Sequence, residues 1–122
     1  NEIEKVKNVL KDINYPSFTY KTTNLEMLRD IAILKVDLNN DLQNIYDKIY
    51  DMLSKEGFSL NKRKYFPHIT LIRNCDEKLH MDFSITQKVE SIVLYSSEHI
   101  DGKLTYIPRF IKKFKDSFEL NR

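Results

Sequence analysis

The chain has 122 residues, enough for one domain with a real core, and its 41% hydrophobic and 31% charged residues form an ordinary soluble globular composition. Net charge is +2, from 20 basic and 18 acidic residues, which permits an anionic ligand without demanding one. No apolar run approaches the ~20 residues of a membrane helix, and no signal peptide is visible. The single cysteine, Cys75, excludes an internal disulfide and favours a reducing compartment, hence the cytoplasm.

In chain order, residues 2–13 read as a helix. Ile3, Val6, Leu10 and Ile13 repeat at 3, 4 and 3, with Lys and Glu between them. Asn14-Tyr15-Pro16 ends it, because the residue before a proline is pushed out of the helical region. Residues 17–22 alternate, with Phe18, Tyr20 and Thr22 on one side, and predict a strand with one covered face. Residues 24–30 read as a connection with at most a helical turn. Residues 31–36, Ile-Ala-Ile-Leu-Lys-Val, are nearly continuous apolar sequence, the pattern of a central strand buried on both faces.

Residues 37–40 supply turn and cap side chains, and a second helix runs to about Lys55. Its stripe is Leu42, Ile45, Tyr46, Ile49, Met52 and Leu53, and Gly57 is placed to end it with positive φ. Residues 64–73, Lys-Tyr-Phe-Pro-His-Ile-Thr-Leu-Ile-Arg, are a strand that starts after Pro67, where a missing N–H does no harm. Residues 74–81 read as loop, 83–86 as a short strand and 88–97 as a long one. Asp101-Gly102 signals a hairpin turn, with 104–110 as the returning strand. Pro108 inside that strand predicts an edge or a bulge. The basic, aromatic tail from Ile111 reads as strand or frayed end. The order is helix, two strands, helix, several strands. It is an α+β pattern, with helices packed on one side of a largely antiparallel sheet.

Chemistry concentrates at one place. Side chains two apart on a strand share a face, so His68, Thr70 and Ile72 would look one way and Ile69 and Leu71, reading as core, the other. An imidazole titrates near neutral pH and can move protons, and a neighbouring hydroxyl can donate to a phosphoryl oxygen. The competing reading of His68 is a half-buried imidazole bonded to backbone. Arg73 is a candidate contact for a phosphate or base, because a planar guanidinium binds anions and also stacks. In a regular strand it faces away from His68, so it joins the same site only if the chain bends there; otherwise it is a solvated charge. Lys62, Arg63 and Lys64 form either a positive rim or plain solvated surface. Tyr95 and Tyr106 either line a pocket or pack in the hairpin. His80 and His99 are followed two positions on by Asp82 and Asp101, not by hydroxyls, and read as surface histidines. No Cys/His spacing for a metal, no Gly-rich phosphate loop and no nucleophile elbow is present.

The stretch Phe66-Pro-His-Ile-Thr-Leu-Ile-Arg73 resembles a signature of the 2H phosphoesterase superfamily. Its LigT-like branch comprises RNA 2′,3′-cyclic phosphodiesterases once named 2′-5′ RNA ligases. The second His motif of that branch reads Pro-His-hydrophobic-Thr-Leu-x-Arg. The surroundings agree: an amphipathic helix ending in Glu-Gly-Phe upstream, and downstream Val89-Glu-Ser-Ile-Val-Leu-Tyr-Ser-Ser97 followed by Gly102 and Tyr106, similar to the family's closing hairpin. Residues 17–22 and 31–36 fit its middle strands. The resemblance covers essentially the whole chain as one domain, residues 1–122.

That resemblance implies a two-lobed fold around a central cleft and a metal-free hydrolysis of a cyclic phosphate at an RNA or nucleotide end. His68 and Thr70 would be catalytic, and Arg73 would stack on the terminal base. No cofactor and no membrane is implied. The family carries two His-x-Thr/Ser motifs facing each other, and this sequence holds one. Together with a start at Asn1 rather than Met, this implies a fragment. The first strand and first His motif would then be cut off or carried on another chain as a partner, or else lost in a degenerate site. Two other readings stay open: a binding module of the same fold that holds RNA ends or a phosphorylated ligand without turnover, and a purely structural His68.

Overall fold

The structure, a computed structural model, describes residues 1–115. The chain divides into two compact units. One contains residues 1–17, 47–60 and the chain from 90 on; the other contains residues 18–46 and 61–89.

In the first unit, helix α1 spans Glu2–Lys11. The Asn1 side chain caps it, accepting the Glu4 N–H at 2.9 Å. Val9, Leu10 and Ile13 are buried, while Ile3 is exposed, so the apolar stripe sits one turn further along than the sequence spacing suggests. A long antiparallel ribbon makes up the rest: β6, Ser91–Ile100, and β7, Lys103–Lys113. Its turn is Asp101-Gly102 with both φ positive, 51° and 77°, as an Asp-Gly hairpin requires. The predicted irregularity at Pro108 is a bulge: Leu94 pairs with Phe110 but Tyr95 pairs with Pro108. Arg109, the extra residue, donates from Nε to Ser96 Oγ at 2.9 Å and reaches Glu98 Oε2 at 3.0 Å. The expected tail from Ile111 is strand as far as Lys113, and residues from 116 lie outside the described ones.

The second unit is a sheet in the order β3-β2-β1-β4, with β5 also paired to β1. Its strands are β1 (Phe18–Leu28), β2 (Ile31–Val36), β3 (His68–Ile72), β4 (Met81–Asp82) and β5 (Thr86–Val89), all antiparallel to their partners. Strand β2 is central, as predicted, with Ala32, Ile33, Leu34 and Val36 buried. Three boundaries differ from expectation. Residues 24–28 continue β1 instead of forming a connection, and a tight turn with Arg29 at φ 58° leads straight into β2. The predicted strand at 83–86 is instead the link between β4 and β5, with only Thr86 in a strand. The long strand predicted at 88–97 is broken at Glu90 into β5 and β6.

Helix α2, Asn40–Lys55, begins at an Asn39 cap whose Oδ1 accepts the Leu42 N–H at 2.9 Å. The same side chain donates from Nδ2 to Thr19 O at 2.9 Å, fixing the helix start against β1. Gly57 ends the helix at φ 97°, as expected, and the Phe58 N–H returns to Leu53 O.

One buried polar group closes this sheet. Thr22 is 1% exposed. Its hydroxyl donates to Phe83 O at 2.9 Å and accepts the Ile85 N–H at 3.0 Å, so it holds the link between β4 and β5 onto β1. Thr22→Val keeps the shape but leaves a buried donor and acceptor unpaired, a loss of about 2 kcal/mol. Urea unfolding should show that loss for Thr22→Val and much less for Thr22→Ser.

Candidate functional site

The site is built on β3, which among the described residues pairs with β2 alone. Pro67 is buried just ahead of it, and its carbonyl accepts the Val36 N–H at 3.1 Å. His68 pairs with Lys35, Ile69 with Leu34, Thr70 with Ile33, and Ile72 with Ala32. The last step skips Leu71, so β3 carries a one-residue bulge there.

That bulge corrects one expectation. Directly opposed residues share a face. His68 and Thr70 therefore lie on the face of Lys35 and Ile33, as predicted. Ile72 lies on the face of Ala32, away from them, which corrects the expected His68–Thr70–Ile72 row. Leu71, expected in the core, is 46% exposed, because the bulge at the end of the strand carries it past the covered part of the sheet. β3 ends at Ile72, and Arg73 stands in the bend just after it.

The His68 imidazole is anchored. Its Nδ1 lies 2.9 Å from Phe66 O, and its ring stacks on Phe66 at 5.3 Å between centroids. A carbonyl oxygen only accepts, so Nδ1 must carry the hydrogen. In the neutral ring the lone pair is then on Nε2. His68 and Thr70 are both exposed, and the imidazole is available for proton transfer through Nε2.

The segment leading into the site is held from α2. Tyr65 stacks face to face on Tyr46, 4.7 Å apart with 7° between planes, and the Tyr46 hydroxyl donates to Arg63 O at 2.8 Å. Beside this lies an open groove of about 510 Å³, lined among others by Asn24, Lys35, Lys64, Tyr65, Phe66 and Pro67. Of the three basic residues before β3, Lys64 borders the groove and so belongs to its positive rim.

The other sequence candidates stand on other elements than β3. His80 precedes β4, at the far edge of the β3-β2-β1-β4 order, roughly 14 Å away by strand spacing. His99 belongs to the other compact unit, on β6. Tyr95 and Tyr106 pack edge to face in the β6–β7 ribbon, 6.3 Å apart. Among the described residues no three His, Cys, Asp or Glu side chains converge as a metal ion requires. No helix among the described residues is long and apolar enough to cross a membrane.

No family model matches this sequence, and no curated protein matches it. Solved structures do match. A crystal structure of a phosphoesterase aligns with TM-score 0.73 and 23% identity, over 94% of this chain and 70% of that one. E. coli LigT in apo form aligns with TM-score 0.74 and 22% identity, over 94% of this chain and 69% of that one. E. coli LigT complexed with 3′-AMP gives TM-score 0.73 and 22% identity, over 93% and 69%. The fold is that of LigT. It is α+β, as the sequence predicts, with antiparallel sheets and two helices among the described residues.

Burial raises the Tyr65 hydroxyl above the ordinary phenol value of 10.0, and the Tyr46 phenol beside it adds to the rise. A group raised on folding contributes stability in full below its unfolded pKa and loses that contribution as pH climbs through the folded one. Urea midpoints should therefore fall between about pH 9 and pH 11, and Tyr65→Phe should fall less over the same range.

Proposed function

We propose that the protein is a phosphoesterase of the 2H type, a single domain that opens a 2′,3′-cyclic phosphate at an RNA or nucleotide end in the reducing cytoplasm. The observation that carries this reading is the anchored His68, with Nδ1 tied to Phe66 O and Thr70 next to it on the same sheet face. The LigT fold supports it, as does the complex of E. coli LigT with 3′-AMP, a nucleotide with a phosphate at that position.

The chemistry follows from the atoms. Water attacks phosphorus opposite the leaving sugar oxygen, so one proton must leave the water and another must reach the sugar oxygen. Neutral His68 can take the first through Nε2, and protonated His68 can give the second. Thr70 donates to a non-bridging oxygen as negative charge gathers there. Arg73, in the bend just after β3, stacks on the base or grips the phosphate. A second proton carrier of opposite protonation state would complete the pair.

A specific observation favours a second reading. Thr70 is the one hydroxyl standing two after a histidine in this sequence, and His80 stands at the opposite sheet edge. These residues by themselves can hold a phosphorylated RNA end without turning it over.

Hydrolysis of an oligoribonucleotide ending in a 2′,3′-cyclic phosphate separates the two. On the enzyme reading, His68→Ala loses at least ~100-fold in rate, on the order expected for general acid–base catalysis, and Thr70→Ala loses roughly 10-fold. Equal rates in wild type and His68→Ala would refute it. Binding without hydrolysis, lost in Thr70→Ala or Arg73→Ala, would establish the module instead.

A further inference from the structure

Lys35 is out of place by packing alone. The other five residues of β2 are apolar, four of them buried, and the strand is flanked on both sides, by β1 and β3. Lys35 is nevertheless exposed, and no carboxylate among the described residues forms an ion pair with it. Its register partner on β3 is His68. Its register partner on β1 is Asn24, whose own partner on β4 is Asp82. One row across the sheet therefore reads Asp82, Asn24, Lys35, His68, all on one face.

A second bulge makes this row. Thr22 pairs with Val36 but Asn24 pairs with Lys35, so Thr23 is skipped. Without it Thr23, not Asn24, would stand beside Lys35. Asn24 donates to Glu26 Oε2 at 2.8 Å, which engages one carboxylate on this face with an amide. The Lys35 side chain also lines the 510 Å³ groove, together with Lys64 and Phe66.

We infer that Lys35 is a phosphate-binding residue of this site, its ammonium taking a non-bridging oxygen of the phosphate on which His68 and Thr70 act. Opposed residues on neighbouring strands have their Cβ atoms about 5 Å apart. A four-carbon stem then brings the ammonium over the position that an anion held by His68 and Thr70 occupies. A lysine acts here as a mobile point charge and needs no planar partner. The site thus gathers positive charge from β2 as well as from β3, and its preferred ligands are phosphate monoanions and dianions rather than neutral sugars.

This rests on the phosphoesterase reading of the same site, so the test has two independent readouts. Inorganic phosphate is titrated into the full chain, with the His68 ring signals followed by NMR. The same variants are assayed on the cyclic-phosphate oligoribonucleotide. Lys35→Met should weaken phosphate binding about tenfold and raise KM more than it lowers kcat. Lys35→Arg should restore most of the binding, and Lys103→Met, at the β6–β7 turn, should change neither. Phosphate affinity in Lys35→Met equal to wild type overturns the inference, whether or not the protein hydrolyses the substrate. Lys35-dependent phosphate binding in a protein without hydrolysis upholds it and refutes the enzyme reading alone.

Discussion

The pairing of β3 with β2 is the constraint on which the chemistry depends. Among the described residues β3 has one hydrogen-bonded neighbour, β2, and its register rests on that pairing. A one-residue shift would turn His68 and Thr70 to the opposite face and bring Ile69 in their place. Several contacts outside the ladder hold the register. Val36 N–H to Pro67 O extends the pairing beyond the strand ends, and Asp37 N–H to Lys21 O does the same on the β1 side. The Tyr46–Tyr65 stack fixes the approach to Pro67 from the helix. At the far end, the Cys75 N–H donates to Asp30 O at 2.7 Å, tying the chain after β3 to the turn before β2.

The bulges at Leu71 and Thr23 act in the same way on either side of the central strand. Each inserts one residue and so reverses which face the next residues occupy. On β3 this turns Ile72 away from the His68 face; on β1 it sets Asn24 beside Lys35. Without the β1 bulge Asn24 would face away from Lys35 and His68; with it all three stand on one face, next to a groove walled by the tyrosine-pinned segment.

Much of the fold is legible in the residues. The α2 helix, the caps at Asn39 and Gly57, the Asp-Gly turn and the apolar run of β2 each depend on short-range rules, and each appears where those rules put it. The site motif is legible because His68 and Thr70 are two apart and fall before the bulge. The residues beyond the bulge are not: simple alternation misplaces Leu71 and Ile72, and a bulge leaves little mark in sequence. Residues 24–28 mislead for a related reason. Asn24 and Glu26 disfavour strand locally, but pairing with β2 on one side and β4 on the other outweighs that preference. Lys35 is visible in the sequence only as a charge interrupting an apolar run. Its meaning comes from His68, far along the chain, which only the sheet register sets beside it.

The tautomer of His68 is the most direct test of this chemistry, because the proton inventory of the site depends on it. Nitrogen-15 NMR of the imidazole, above its titration midpoint, reads which ring nitrogen carries the hydrogen. The expected result is hydrogen on Nδ1, bonded to Phe66 O, and a bare Nε2 whose signal responds to added phosphate. A ring protonated on Nε2 with a bare Nδ1 would contradict the mechanism, since the anchoring hydrogen bond would not exist and the base would be on the wrong atom.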